Sequence, residues 1–113
     1  MHELSVVESM MAVVLKHAER NRARKVNRIN LVLGEMSTVM EDPVKFYFDF
    51  VSKDTIAAGA ELSFRRTELI ARCEDCGHEW KVQEYDFTCP ECGGTNTEIV
   101  SGREFQVESI EIN

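Results

Sequence analysis

No apolar run in these 113 residues comes near the roughly 18 that a membrane span requires, and the amino terminus lacks the basic-then-apolar layout of a signal peptide. The expectation is a soluble, cytoplasmic protein with no membrane partner. Enzyme signatures are also missing. There is no glycine-rich phosphate loop, no Gly-x-Ser-x-Gly and no His-Glu-x-x-His. Cysteine is absent outside two short clusters, and histidine occurs only at His2, His17 and His78. Basic residues are scarce in the C-terminal part. Residues 71–113 hold three Lys/Arg against ten Asp/Glu, whereas residues 1–70 hold ten of each, so the whole net charge of −7 falls beyond residue 70. Phosphate recognition needs a positive face, so nucleic acid is not the expected partner. The acidity suits a basic protein surface or cations, or serves solubility alone.

The four cysteines are Cys73, Cys76, Cys89 and Cys92, two Cys-x-x-Cys pairs separated by twelve residues. Two thiolates three residues apart can hold one ion from a tight turn, and a second pair a hairpin away completes a tetrahedron. Four soft sulfurs without a water position describe a closed structural zinc site. A pair of disulfides or two redox motifs could use the same residues, but the spacing is that of a zinc ribbon. Gly77 follows the first pair and Gly93-Gly94 the second, where the chain must turn sharply. Pro90 stiffens the second turn. A saturated zinc cannot activate water, so this metal supplies shape and not catalysis.

Around the cysteines the pattern predicts a small α+β fold. Leu4, Val7, Met11, Val14, Leu15 and Ala18 recur at helical spacing, and Ser5-x-x-Glu8 could be a capping box that starts the helix. Residues 26–33 read as a strand ended by Gly34. Asp42-Pro43 reads as a helix start with Asp42 as N-cap, followed by Val44, Tyr47, Phe48 and Val51 on one face, broadened by Phe46 and Phe50. A second strand opens at Leu62-Ser63-Phe64 and runs toward Ile70. The ribbon occupies about 71–102, with Trp80, Val82 and Tyr85 as packing residues of a short arm. Phe105-Gln106-Val107 and Ile110-Glu111-Ile112 alternate in opposite phase, which a bulge near Ser109 would reconcile. The result is an α/β core of two helices and a three-stranded mixed sheet, with the ribbon inserted between two strands. Residues 1–70 form the first part, 71–103 the insert, and 104–113 the returning strand.

A second metal candidate is the chain start, Met1-His2-Glu3. The α-amine, the His2 amide nitrogen and the His2 imidazole can chelate one ion in fused rings, with Glu3 as a fourth donor. A deprotonated amide is a strong in-plane donor suited to Cu(II) and Ni(II). The bulk of His2 would keep Met1 in place. Met-His is also a common chance opening, and an exposed histidine is usually only solvated. His17 reads as a solvated or packed helix residue and His78 as an exposed turn residue. Beyond Cys92 there is no histidine, so any further ligand from there would be an oxygen donor such as Glu98.

Met1-His2-Glu3-Leu4-Ser5, Ile29-Asn30-Leu31-Val32-Leu33-Gly34-Glu35, the Asp42-Pro43 aromatic helix, the paired Cys-x-x-Cys motifs and the ending Phe105–Ile112 together resemble the HypA family of hydrogenase nickel-incorporation proteins, in order and along essentially the whole chain. The resemblance implies a nickel metallochaperone, not an enzyme. Such a carrier delivers Ni(II) to the large subunit of nickel-iron hydrogenase with the GTPase HypB, and urease maturation is a further use in some members. It also implies His2 as the essential nickel ligand, supported by Met1 and Glu3, and structural Zn(II) on Cys73, Cys76, Cys89 and Cys92. A homodimer is left open. The alternative is a zinc-ribbon interaction module without nickel transfer.

Overall fold

Eight elements follow one another. They are α1 (His2–Arg20), β1 (Val26–Gly34), α2 (Glu41–Val51), β2 (Glu61–Thr67), β3 (Ile70–Cys73), β4 (Glu79–Lys81), β5 (Thr97–Ser101) and β6 (Phe105–Ile112). The computed structural model describes residues 2–113 and, at His2, the backbone only.

In α1 the buried residues are Val7, Met10, Met11, Val14 and Ala18, one stripe at i, i+3, i+4, i+7 and i+11. The helix already runs from His2, so Ser5 lies inside it and is exposed. The expected capping box is therefore not a helix start, because three more residues extend the helix ahead of it. The other end closes in a Schellman arrangement. Arg22 takes a positive φ of 53°, its N–H donates to the Glu19 carbonyl (3.0 Å), and the Ala23 N–H donates to the Ala18 carbonyl (2.9 Å).

In α2 the start also lies earlier than expected. Met40 is the N-cap, extended and without a side-chain cap bond, and the helix begins at Glu41. Asp42 and Pro43 thus occupy the first turn. The missing N–H of Pro43 leaves nothing unpaired there, since first-turn amides have no helical acceptor. Glu41 is held instead by Lys45 (3.1 Å) and Arg66 (2.7 Å). Val44 and Phe48 face inward, but Phe46 and Phe50 are 70% and 68% exposed, on the opposite side of the helix from the core they were expected to widen.

The first sheet has the order β2-β1-β6. β1 is parallel to β2, with Ile29 opposite Leu62 and Leu31 opposite Phe64, and α2 forms the crossover that a parallel pair needs. β6 runs antiparallel to β1. Its register slips between Asn30↔Ser109 and Leu31↔Val107, so Glu108 has no partner on β1 and the bulge falls at the change of phase near Ser109. The core joins Ile29, Leu31 and Val26 to the buried stripe of α1 and to Val44 and Phe48 of α2. Burying side chains of this size contributes about 1.5–3 kcal/mol each. The other face of the sheet is polar. Arg28 pairs with Glu61, Asn30 donates to Ser109 and Glu111, and Arg65 pairs with Glu108.

The second sheet, β4-β3-β5, is antiparallel. Its short strands cover a small cluster of Leu69, Ala71 and Val82 with Trp80, Phe87, Ile99 and Met36. Tyr85, expected to pack here, is 64% exposed, and Phe87 takes the packing place. The cause is local. Glu84 and Tyr85 both adopt positive φ, 52° and 58°, which turns the chain before Phe87.

Three chain segments pass between the two sheets and are bonded to one another. The Glu35 N–H donates to the Thr67 carbonyl (2.9 Å), the Met36 N–H to the Gly102 carbonyl (2.6 Å), and the Gly34 N–H to the Glu104 carbonyl (2.7 Å). The Glu104 carboxylate accepts from the Gly102 N–H (2.6 Å) and the Thr67 hydroxyl (3.1 Å), and the Glu35 carboxylate accepts from the Leu69 N–H (3.0 Å). Backbones come so close that a Cβ on Gly34 would lie 2.6 Å from the Arg103 nitrogen. Gly102, at φ 110°, faces the Leu69 backbone just as closely. The molecule is elongated, 54 × 28 × 17 Å. No helix of the described residues is long and apolar enough to cross a membrane.

Candidate metal centre

The Cys-x-x-Cys-Gly repeat builds two matching loops. Cys73 closes β3, its N–H donates to the His78 carbonyl (2.9 Å), and its carbonyl accepts from the Gly77 N–H (2.8 Å). The second loop repeats the bonds: the Cys89 N–H donates to the Gly94 carbonyl (2.9 Å), and the Cys89 carbonyl accepts from the Gly93 N–H (2.9 Å). Gly77 and Gly93 sit at matching places with φ of 79° and 72°, a conformation that disfavours any side chain. Gly94 serves a different purpose. A Cβ there would lie 3.3 Å from the Cys92 sulfur and 3.1 Å from the Asp75 carboxylate, so its lack of a side chain keeps room beside the cluster.

All four Sγ atoms lie within 4.8 Å of one another. The pairs Cys73–Cys92 and Cys76–Cys89 are each 3.6 Å apart, and all four cysteines are free. A disulfide needs about 2.05 Å, so neither pair is bonded. Tetrahedral sulfurs 2.3 Å from one ion would lie about 3.8 Å apart, so the donor set fits a four-thiolate metal. Cys73 and Cys89 are buried, whereas Cys76 and Cys92 face outward. Four thiols this close cannot ionise together. At Cys89 desolvation opposes ionisation, but the N–H groups of Cys92 and Glu91 and the neighbouring thiols outweigh it and bring the group down to about 7. Cys76 goes the other way. The His78 N–H favours its thiolate, yet desolvation and the three other sulfurs push it up to about 12. Ionisation therefore starts at Cys89, and a cation must displace protons from the rest.

The surroundings are acidic, with Glu74, Asp75 and Glu91 exposed beside the cysteines. Glu98 pairs with Arg72, which also reaches Glu79. His78 is half-buried and stacks on Trp80 at 6.0 Å and 6°, not free in a turn as expected. His17 is exposed on α1. Met1 and the His2 side chain lie outside the described residues. Glu3 stands in the first turn of α1, where backbone N–H groups have no helical acceptor.

A family model described as hydrogenase/urease nickel incorporation, metallochaperone, hypA matches residues 1–112. A protein of Dehalococcoides mccartyi named hydrogenase maturation factor HypA is 46% identical over 113 residues, covering 100% of this chain and 95% of the relative. One of the same name from Caldanaerobacter subterraneus subsp. tengcongensis is 38% identical over 99% of both chains. Among solved structures, one described as the solution structure of HypA protein superposes with a TM-score of 0.81 at 30% identity, covering 100% of this chain and 97% of the other. The Ni metallochaperone HypA from Helicobacter pylori gives 0.74 at 28%, covering 97% and 96%. The chain belongs to the HypA family, the nickel-incorporation metallochaperones of hydrogenase and urease maturation.

Proposed function

We propose that this chain carries Ni(II) on Met1, His2 and Glu3 and delivers it to the large subunit of nickel-iron hydrogenase in the cytoplasm, working with the GTPase HypB, while Cys73, Cys76, Cys89 and Cys92 hold structural Zn(II). The observation that carries this reading is the closure of the four-thiol cluster. With every sulfur within 4.8 Å of the others, an ion there has no free position, so a transferable cargo needs separate donors. The start of α1 offers them on amides that have no helical acceptor, so giving up an amide proton to the metal breaks no helical hydrogen bond. Few donors at a chain end allow ligand exchange one bond at a time with a client's cysteines. Residues 1–70 with 104–113 act as the nickel unit and 71–103 as the zinc unit, whose acidity favours a basic docking surface.

The test is a nickel titration of untagged, zinc-loaded protein beside His2→Ala. The expected outcome is about one nickel per chain, lost in the variant while zinc stays bound. Equal nickel binding by both proteins would remove the terminus from the site. Because amine, amide and imidazole must all shed protons, wild-type affinity falls as pH drops toward about 6, near the reference imidazole value. An affinity flat across that range counts against these donors.

A further inference from the structure

We propose that the outer face of α2 is a self-association surface, on which two copies of this chain pair antiparallel through Phe46 and Phe50. Large aromatics at 70% and 68% exposure are unusual, and one helical turn places these two side by side. Both rings are already ordered. Phe46 meets Tyr47 edge-on at 5.2 Å, and the Lys53 ammonium lies 5.7 Å over the Phe50 ring. Little side-chain freedom is left to lose on association.

The charges beside the rings point to a second copy as the occupant. Along the same face the order is Asp42, Phe46, Phe50, Lys53, all exposed, with the acid at the helix start and the base just beyond its end. Among the described residues neither Asp42 nor Lys53 takes part in an ion pair. Turned antiparallel, this row complements itself. Phe46 meets the partner's Phe50, Phe50 meets the partner's Phe46, and Asp42 meets the partner's Lys53 at both ends, as a two-fold axis requires. The helix dipoles also oppose. A parallel pairing would set acid on acid and base on base. The stripe is narrow, well under the roughly 1,200 Å² of a stable complex, so the dimer is weak and forms at high concentration. This surface is independent of both metal sites.

Sedimentation of the zinc-loaded full chain from about 10 µM to about 1 mM tests it. The expected result is a mass that rises toward the dimer, with dilution shifts in the NMR spectrum confined to residues 42–53. Phe46→Ser with Phe50→Ser should stay monomeric with unchanged helical circular dichroism. Lys53→Glu should weaken the dimer at least several-fold, and adding Asp42→Lys to it should restore it. A wild type that is monomeric throughout overturns the proposal and leaves the stripe to a different protein. A double serine variant that dimerises like wild type overturns it too. Charge reversal without restoration overturns the antiparallel arrangement.

Discussion

The thiols and carboxylates behave differently toward protons, and each makes a prediction at the scale of single residues. With Cys89 near 7 and Cys76 near 12, most of the cluster is protonated at neutral pH before metal enters. Adding zinc to metal-free protein at pH 7.5 should expel about three protons, seen as acidification in a weak buffer. Release of one or none would mean the thiols ionise without the ion. Glu104 has its pKa lowered, first by its own backbone N–H and, against desolvation, by the Gly102 N–H, the Thr67 hydroxyl and the Arg103 N–H. A depressed carboxyl stabilises the fold above its unfolded pKa, and that contribution is lost as pH falls through the folded value. Glu104→Gln should therefore be less stable at pH 7 by about 1 kcal/mol or less, and the gap should close in acid. A gap that persists at low pH assigns the effect to shape and not to charge. The cysteines and the glycines after them were legible because metal ligation is written in local spacing. Glu104 was not, because its partners Thr67 and Gly102 come from other parts of the chain and no short pattern marks it.

Elements were legible where one face is buried and misleading at their ends. The stripe of α1 and the phase change in β6 translate directly into a buried face and a bulge. Helix starts did not, because polar residues in a first turn look like caps whether or not they accept a bond. Ser5 and Asp42 both sit inside their helices. Phe46 and Phe50 were placed in the core because aromatic residues count as apolar in any periodic reading. Spacing alone does not say which of two neighbouring stripes meets the sheet. At the end of α1 the sequence places arginine where the Schellman turn favours glycine. Arg22→Gly removes a left-handed backbone penalty, and the expected outcome is a gain of about 0.5–1 kcal/mol in thermal or urea unfolding. A loss of stability would mean that the Arg22 side chain contributes more than its backbone strain removes.

At the scale of the whole molecule, the two sheets differ in what they have to hold them. The first is covered by two helices and an eleven-residue set of buried side chains, whereas the second has three buried residues and strands of three to five. So small a cluster needs its metal. Chelating zinc should abolish amide protection across residues 70–101 while the helical signal of α1 and α2 changes little. Simultaneous loss of both would show that the three-segment junction transmits unfolding from one sheet to the other. The order of elements and the mixed sheet could be foreseen from the sequence. The close passage of Gly34 against Gly102 could not, since each glycine alone resembles an ordinary strand end. That order of strands also governs how the chain comes to be folded. Asn30 on the central strand meets Ser109, 79 residues later, so on the ribosome β1 stays open along one edge until the last strand emerges. Its apolar residues must wait through the synthesis of the entire ribbon. A ribbon that has already captured its ion shortens the loop left to close. Metal supply would then set the pace at which new chains escape aggregation, before any nickel is carried.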